Sequence, residues 1–415
     1  MKVSISSSEQ KILDQVDDAV PEMVSTVKKW SRINSGSTNL AGLEQQFIEI
    51  KQHFSDLGGD VDAVALPATK AIDRQGEPFQ IEHGQTFRLV QRASAPVQIL
   101  LTGHYDTVFA KDSSFQEVTR IDDDRLNGPG LADMKGGLLV MRQALLALEQ
   151  SDCRSNVGYT ILVSPDEEIG STGSAGILKK HAKIADLGLT YEPALADGSL
   201  SGARKGTGNF SIVIRGRSAH AGREHELGRN AIVVAAELIS ILADLTGARD
   251  GLTVNPARMD GGGANNVVPD MAVVRFNARL LLPEDMIWFE QELGRVLVKL
   301  NDKDGISAEL HGGFTRPPKP MAPPNAKLFS LTRASGEALG LDIRWKATGG
   351  VCEGNNLWAA GCPNVDTLGV CGGEIHSDRE FVILSSFAER ARLSALMLFK
   401  FASGDFDAKA LRTMK

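Results

Sequence analysis

The sequence predicts an α/β protein: a mainly parallel sheet with helices on both faces, interrupted by a smaller inserted domain of ferredoxin-like βαββαβ order. Three observations carry this. "VQILLTG" (97–103) and "VGYTILV" (157–163) are short apolar runs ended by Gly or Ser-Pro, and "KGGLLVMRQALLALEQ" between them reads as a helix. Strand, helix, strand is the unit of a parallel sheet covered on both sides. From "FSIVIRG" (210–216) onward the elements follow the βαββαβ order, and this block is flanked by "ARKGTG" and the proline-rich "RPPKPMAPP" (316–324), both suited to hinges. The organisation is then a main domain over 1–205, an inserted domain over 206–316, and the rest of the main domain over 317–415.

The elements follow from their spacing. Between Asn39 and Gly58, the residues Leu43, Phe47, Ile50, Phe54 and Leu57 recur at alternating intervals of four and three, which marks one helix face; Gly58 supplies the stop. In the inserted block "FSIVIRG" is a strand, "NAIVVAAELISILADL" (230–245) a helix and "LTVNPARM" a strand. "MAVVRFNARLLL" follows as a strand, then a helix over 283–300 opened by Pro283, then "ISAELHGG" as the last strand. Arg275, Asn277 and Arg279 alternate onto one strand face, opposite Val274, Phe276 and Ala278. Arg275 and Asn277 read as a solvated face. Beyond 316 a helix and strand pattern resumes to the C-terminus.

A chain of 415 residues exceeds one ordinary core, and 42% hydrophobic with 23% charged residues is typical of a soluble globular protein. A formal charge of -7 without a basic run argues against nucleic acid or an anionic membrane as partner. The start lacks the apolar core of a signal peptide, and no run approaches the roughly 18 apolar residues that span a bilayer. The expected location is cytoplasmic. Cys153, Cys352, Cys362 and Cys371 show no CxxC pairing and read as free thiols. His53, His181, His225 and His311 read as structural or exposed.

In an open α/β sheet, ligands collect outside the carboxyl ends of the strands, so polar residues just past each apolar run carry the chemistry. "LLTGHYDTV" places His104 and Asp106 there, two apart and on one side of an extended segment. A metal-bound imidazole usually gives its other N–H to a carboxylate, and Asp106 fits that role. "LNGPGLADMKGG" sets Asp133 before a helix start loosened by Gly136 and Gly137, where its two oxygens could bridge two cations. "SPDEEIGS" supplies Glu167 and Glu168, whose side chains point in different directions, so that one could bind metal while the other faces a water. Glu192 ends another apolar run, and "GGEIHSDREF" offers His376. This nitrogen and oxygen set without thiolate suits two zinc ions, with manganese or cobalt as substitutes.

At this point the chain resembles the dinuclear zinc hydrolases that include glutamate carboxypeptidase, acetylornithine deacetylase, succinyl-diaminopimelate desuccinylase and aminoacylase. The matching stretches are GHYDTV, GPGLADMKGG, DEEIGS, YEP, RSAHAG, NNVVP and HSDREF, in that family's order. The resemblance implies that His104 and Glu192 bind one zinc, Glu168 and His376 the other, and that Asp133 bridges them. It implies Asp106 as the residue orienting His104, Glu167 as general base, and a cis peptide between Asp133 and Met134. His220 would reach the active site of the other subunit in a homodimer formed through the inserted domain, which would also act as a lid. Asn266 and Arg279 would hold a substrate carboxylate, a group suited to bidentate arginine binding. The implied substrate is a small peptide or N-acyl amino acid with a free carboxylate. Glu192, where relatives that act as aminopeptidases carry Asp, sides with carboxypeptidases and deacylases.

One stretch departs from the family. Where its members carry a Gly-rich loop with Thr or Ser before Asp, this chain reads "TGGVCEGNNLWAAG" (348–361), with Glu353 and Asn355 near the place of that Asp. Two other classes compete with the hydrolase. A non-catalytic metal-binding protein would be expected to lose the base first, yet Glu167 is present. A nucleotide-binding oxidoreductase would need a GxGxxG turn after an early strand, and "GSTGSAG" (170–176) follows the glutamate pair instead.

Overall fold

The computed structural model describes residues 2–414. Its main sheet has six strands in the spatial order Asp60–Val64, Thr86–Gln91, Val157–Ser164, Val97–His104, Leu187–Thr190 and Asn364–Val365. The last four run parallel. Thr86–Gln91 pairs antiparallel with Val157–Ser164 and with Asp60–Val64. Alternation decides which face each strand residue serves. Ile99 and Leu101 join the large core formed with the helices Leu40–Phe54, Gly136–Glu149 and Ser386–Ser403. Leu100 points to the other face, where Leu162, Leu178, Ala182 and Leu357 close a smaller core beneath the helix Ala175–Ala182. A sheet covered on both faces needs apolar residues on both, which is why these strands are near-continuous hydrophobic runs.

Residues 206–316 form an antiparallel four-stranded sheet in the order Thr253–Gly261, Met271–Leu280, Gly206–Arg215, Ser307–Arg316. The helices Ala231–Asp244 and Pro283–Asn301 cover one face over a separate core that includes Phe210, Ile212, Val274, Phe276 and Phe289. Asn230 caps the first of these helices, its side chain accepting from the N–H groups of Ile232 and Val233.

Several elements differ from the sequence reading. The helix expected to run to Gly58 ends at Phe54 and tightens into a 3-10 turn over Ser55–Leu57; Gly58 then takes φ +67°. The first and last strands of the insertion are longer than read, reaching Gly206 and Arg316. Half of the 348–361 stretch is helical, over Glu353–Ala359. Arg275 and Asn277 do not lie on a solvated face. A hairpin of the main domain, Thr69–Ile72 with Pro78–Ile81, lies against that side of the inserted sheet. Arg275 donates to the carbonyls of Ile72 and Asp73 and pairs with Asp260. Asn277 donates to Thr207 Oγ1 at 2.9 Å and to the Gly208 carbonyl at 3.1 Å.

Candidate metal centre

A second, five-stranded sheet of very short strands stands beside the carboxyl edge of the main one: Ala194–Leu195, Cys371–Gly373, Phe381–Ile383, Arg125–Asn127 and Thr119–Arg120. Its connections carry Asp133 and His376, while the main sheet delivers His104, the glutamate pair and Glu192. A Cβ on Gly137 would lie 2.0 Å from the Tyr191 carbonyl oxygen. The helix after Asp133 therefore approaches the strand end that carries Glu192 only because residue 137 has no side chain.

His104, Asp133, Glu168, Glu192 and His376 come together. Asp133 sits between the two imidazoles, Oδ1 at 3.2 Å from His104 Nε2 and Oδ2 at 3.2 Å from His376 Nε2. Glu192 Oε1 is 3.7 Å from His104 Nε2, and Glu168 Oε2 is 3.2 Å from His376 Nε2. His104, Asp133 and Glu192 are buried, and despite these close approaches His104 Nε2, Asp133 Oδ1 and Glu192 Oε1 make no hydrogen bond of good geometry among the described residues. Buried polar atoms are rarely left so. Three orphaned donor atoms aimed at one region fit cations of the nitrogen and oxygen type. The Asp133–Met134 peptide is cis.

Asp106 anchors the centre from below. Its Oδ1 lies 3.3 Å from His104 Nδ1, and its own backbone carbonyl is 3.0 Å from that nitrogen. The same carboxylate accepts the N–H of Glu167 and of Glu168, each at 3.1 Å, and the Ser37 hydroxyl at 2.7 Å. One side chain thus fixes both the imidazole and the glutamate pair. Electrostatics show how crowded the carboxylates are. Burial, reinforced by Asp133, pushes Glu168 up to about 8, and burial with the charge of Glu167 pushes Glu192 up to about 7 despite His104. His376 is drawn up to about 11 by its hydrogen bonds to Asp133 and Glu168. Such a cluster stands in need of positive charge.

Glu167 and Arg279 line one cleft of about 480 Å³ with Asp133, Glu168, Glu192 and His376. Arg279 donates to the Gly349 carbonyl at 2.5 Å and to Asn277 Oδ1 at 3.1 Å. His220 and Asn266 do not line this cleft in the same chain. They are exposed together elsewhere on the inserted domain, where Ala221 N–H donates to the Asn266 carbonyl at 2.9 Å and His220 pairs with Val267. Sequence reasoning missed three supporting groups. The Glu380 carboxylate accepts the N–H groups of Gly130, Ala132 and Asp133, shaping the loop that presents Asp133. Arg316 pairs with Glu167 at 2.8 Å. Arg204, which also lines the cleft, pairs with Asp366 at 2.8 Å. Glu380 lay inside the quoted HSDREF stretch, so its position was on view; the two arginines carried no local signal.

Unpaired nitrogen and oxygen donors gathered at the carboxyl edge of such a sheet define a candidate metal centre. Residues 100–400 match the model of peptidase family M20/M25/M40, and the chain belongs to that family. It is a metallopeptidase of amidohydrolase type. Carboxypeptidase G2 of a Pseudomonas species is 30% identical over 395 residues, 93% of this chain and 91% of that protein. Succinyl-diaminopimelate desuccinylase of Nitrosospira multiformis is 26% identical over 328 residues, 74% of this chain and 84% of the relative. Among solved structures, an M20 family metallo-carboxypeptidase of Sulfolobus solfataricus has the same fold, with a TM-score of 0.72 and 18% identity over 92% of this chain and 99% of that one.

Proposed function

We propose that this metallopeptidase uses two zinc ions to cleave an amide bond next to a free carboxylate, in the manner of a glutamate carboxypeptidase. The observation that carries the two-metal reading is Asp133, whose two oxygens each face a different histidine at 3.2 Å. His104 and Glu192 would hold one ion, Glu168 and His376 the other, with Asp133 shared. When bound, such metals polarise the scissile carbonyl and lower the pKa of the attacking water. Glu167 takes the proton from that water and delivers it to the leaving nitrogen. Asp106 holds His104 and the backbone of Glu167 in register while this happens. Arg279, with Asn277 beside it, faces the cleft from the inserted sheet and suits the substrate carboxylate.

His220 and Asn266 complete this reading through a second copy of the chain. Supporting it, the strand Thr253–Gly261 is an outer strand of the inserted sheet, and Asn266 lies in the connection that follows it. An unpaired edge is a ready docking line for an identical strand. Residues 206–316 then act as lid and dimerisation domain, with residues 1–205 and 317–415 as the catalytic body. Four free cysteines suit a reducing compartment, and the cytoplasm is the proposed location. No helix among the described residues is long and apolar enough to cross a membrane.

The desuccinylase relative favours a second substrate reading, deacylation of an N-acyl amino acid by the same chemistry. One experiment separates the readings: metal content by mass spectrometry on protein prepared without chelator, beside hydrolysis of a panel of peptides and N-acyl amino acids. Near two zinc per chain with chelator-sensitive release of C-terminal glutamate supports the carboxypeptidase. Preference for acylated amino acids supports the deacylase, and metals without any turnover count against both. The base is tested by Glu167→Ala, which is expected to retain both metals and lose turnover by about 10²- to 10⁴-fold.

A further inference from the structure

Two adjacent glutamates stand at a centre that either could join. His104, Glu167 and Glu192 offer donor atoms within 4.8 Å of one another, and so do His104, Asp133 and Glu168. Carboxylates bind such cations readily, so a glutamate that is to work as a base has to be kept from becoming a ligand. We infer that Arg316 is a positioning residue that holds one oxygen of Glu167, keeping this glutamate out of the metal coordination and leaving its other oxygen to take the proton. The inference rests on the reading of Glu167 as base.

The geometry is specific. Arg316 Nη2 lies 2.8 Å from Glu167 Oε1 and also donates to the Glu167 backbone carbonyl and to Ser171 Oγ, each at 2.8 Å. Both side chains are almost wholly removed from solvent. At the other end of the residue, the Glu167 N–H is held by Asp106, so backbone and side chain are fixed together. Glu353, fully buried among these groups, is pushed well above the usual carboxylate range by burial and then by the charge of Glu167. Arg316 is the last residue of the strand Ser307–Arg316, so the group that sets the base belongs to the inserted sheet. All three contacts come from one nitrogen, Nη2, whose place is set by the planar guanidinium, whereas a lysine ammonium is a point charge on a flexible stem.

The test compares Arg316→Gln and Arg316→Lys with wild type and Glu167→Ala, each loaded with cobalt(II). The lysine variant retains a buried cation and so protects the fold. Expected for both is a fall in kcat of about 10²-fold with KM within about threefold. The cobalt absorption bands are expected to change as Glu167 enters the coordination, and that change to vanish in the double variants that also carry Glu167→Ala. Unchanged bands, a kcat close to wild type, or a loss confined to KM would each overturn the inference, the last by making Arg316 a substrate-binding group. Full turnover in Glu167→Ala alone would instead remove the base reading, so the two failures are told apart.

Discussion

Asp366 is fully buried, and two cations reach it: Arg204 through Nε at 2.8 Å and Nη2 at 3.0 Å, and Lys319 through Nζ at 2.7 Å. Burial raises its pKa, but Arg204 and then Lys319 outweigh that and hold the carboxyl at about 2, below its ordinary 3.8. A depressed carboxyl contributes stability above the unfolded value and loses it as the pH falls through the folded one. Asp366→Asn is therefore expected to destabilise the protein by about 3–5 kcal/mol at pH 7, because two buried cations lose their anion. Urea unfolding should show that difference hold down to about pH 4 and shrink toward pH 2. His104, Glu168 and Glu192 were legible in the sequence because side chains able to bind metal stood just past apolar runs, and His376 because of the stretch HSDREF. Asp366 and Arg316 were not, because a buried ion pair between positions 47 to 162 residues apart leaves no local pattern.

The helix Leu40–Phe54 shows how an element can carry a titration that its sequence hides. His53, in its last turn, would ordinarily suit a helix C-terminus. Here burial, and then the Arg142 guanidinium, lower it to about 4 from 6.5. Its neutral form is favoured in the folded state, so the associated stability is complete above about pH 6.5 and is lost as the pH falls toward 4. Allowing for partial solvent screening, the loss is expected to be about 1–2 kcal/mol. His53→Gln should lack it, so the stability difference between wild type and variant narrows by that amount between pH 7 and pH 4. Long elements with a clear period were readable, the helix Pro283–Asn301 among them. The five-stranded sheet was not, because strands of two or three residues are too short to show alternation. The hairpin Thr69–Ile81 that covers Arg275 is equally short in each arm. Without a sequence signal for that hairpin, the strand face it covers reads as solvated.

Across the whole molecule, His220 is exposed on the inserted domain and does not line the cleft of its own chain. If each site draws His220 from the other subunit, His220→Ala and Glu167→Ala are both nearly inactive alone. Mixed and reassembled in equal amounts, they should recover about a quarter of wild-type turnover, since half the dimers would be mixed and each of those would have one complete site. No recovery alongside a monomer in sedimentation would remove His220 from the mechanism. The insertion itself was legible at this scale because its βαββαβ order differs from the strand, helix, strand rhythm around it. How it is fastened to the body was not.

That fastening has an evolutionary and practical consequence. The strands that enter and leave the insertion run side by side, with Thr207 opposite Arg316, and just outside them Arg204 and Lys319 exchange backbone hydrogen bonds of 2.8 and 3.0 Å. A chain that departs and returns at the same place can exchange the intervening cassette with a single seam in the backbone, provided the new one covers the hairpin Thr69–Ile81 that Arg275 holds. Closing residue 206 to residue 316 with a short glycine turn would retain every proposed metal donor and delete Asn266, Arg279 and His220 at one stroke. The proposed metal donors and Glu167 thus lie on one side of a single seam and His220, Asn266 and Arg279 on the other, so one cassette carries every contribution proposed for those three residues.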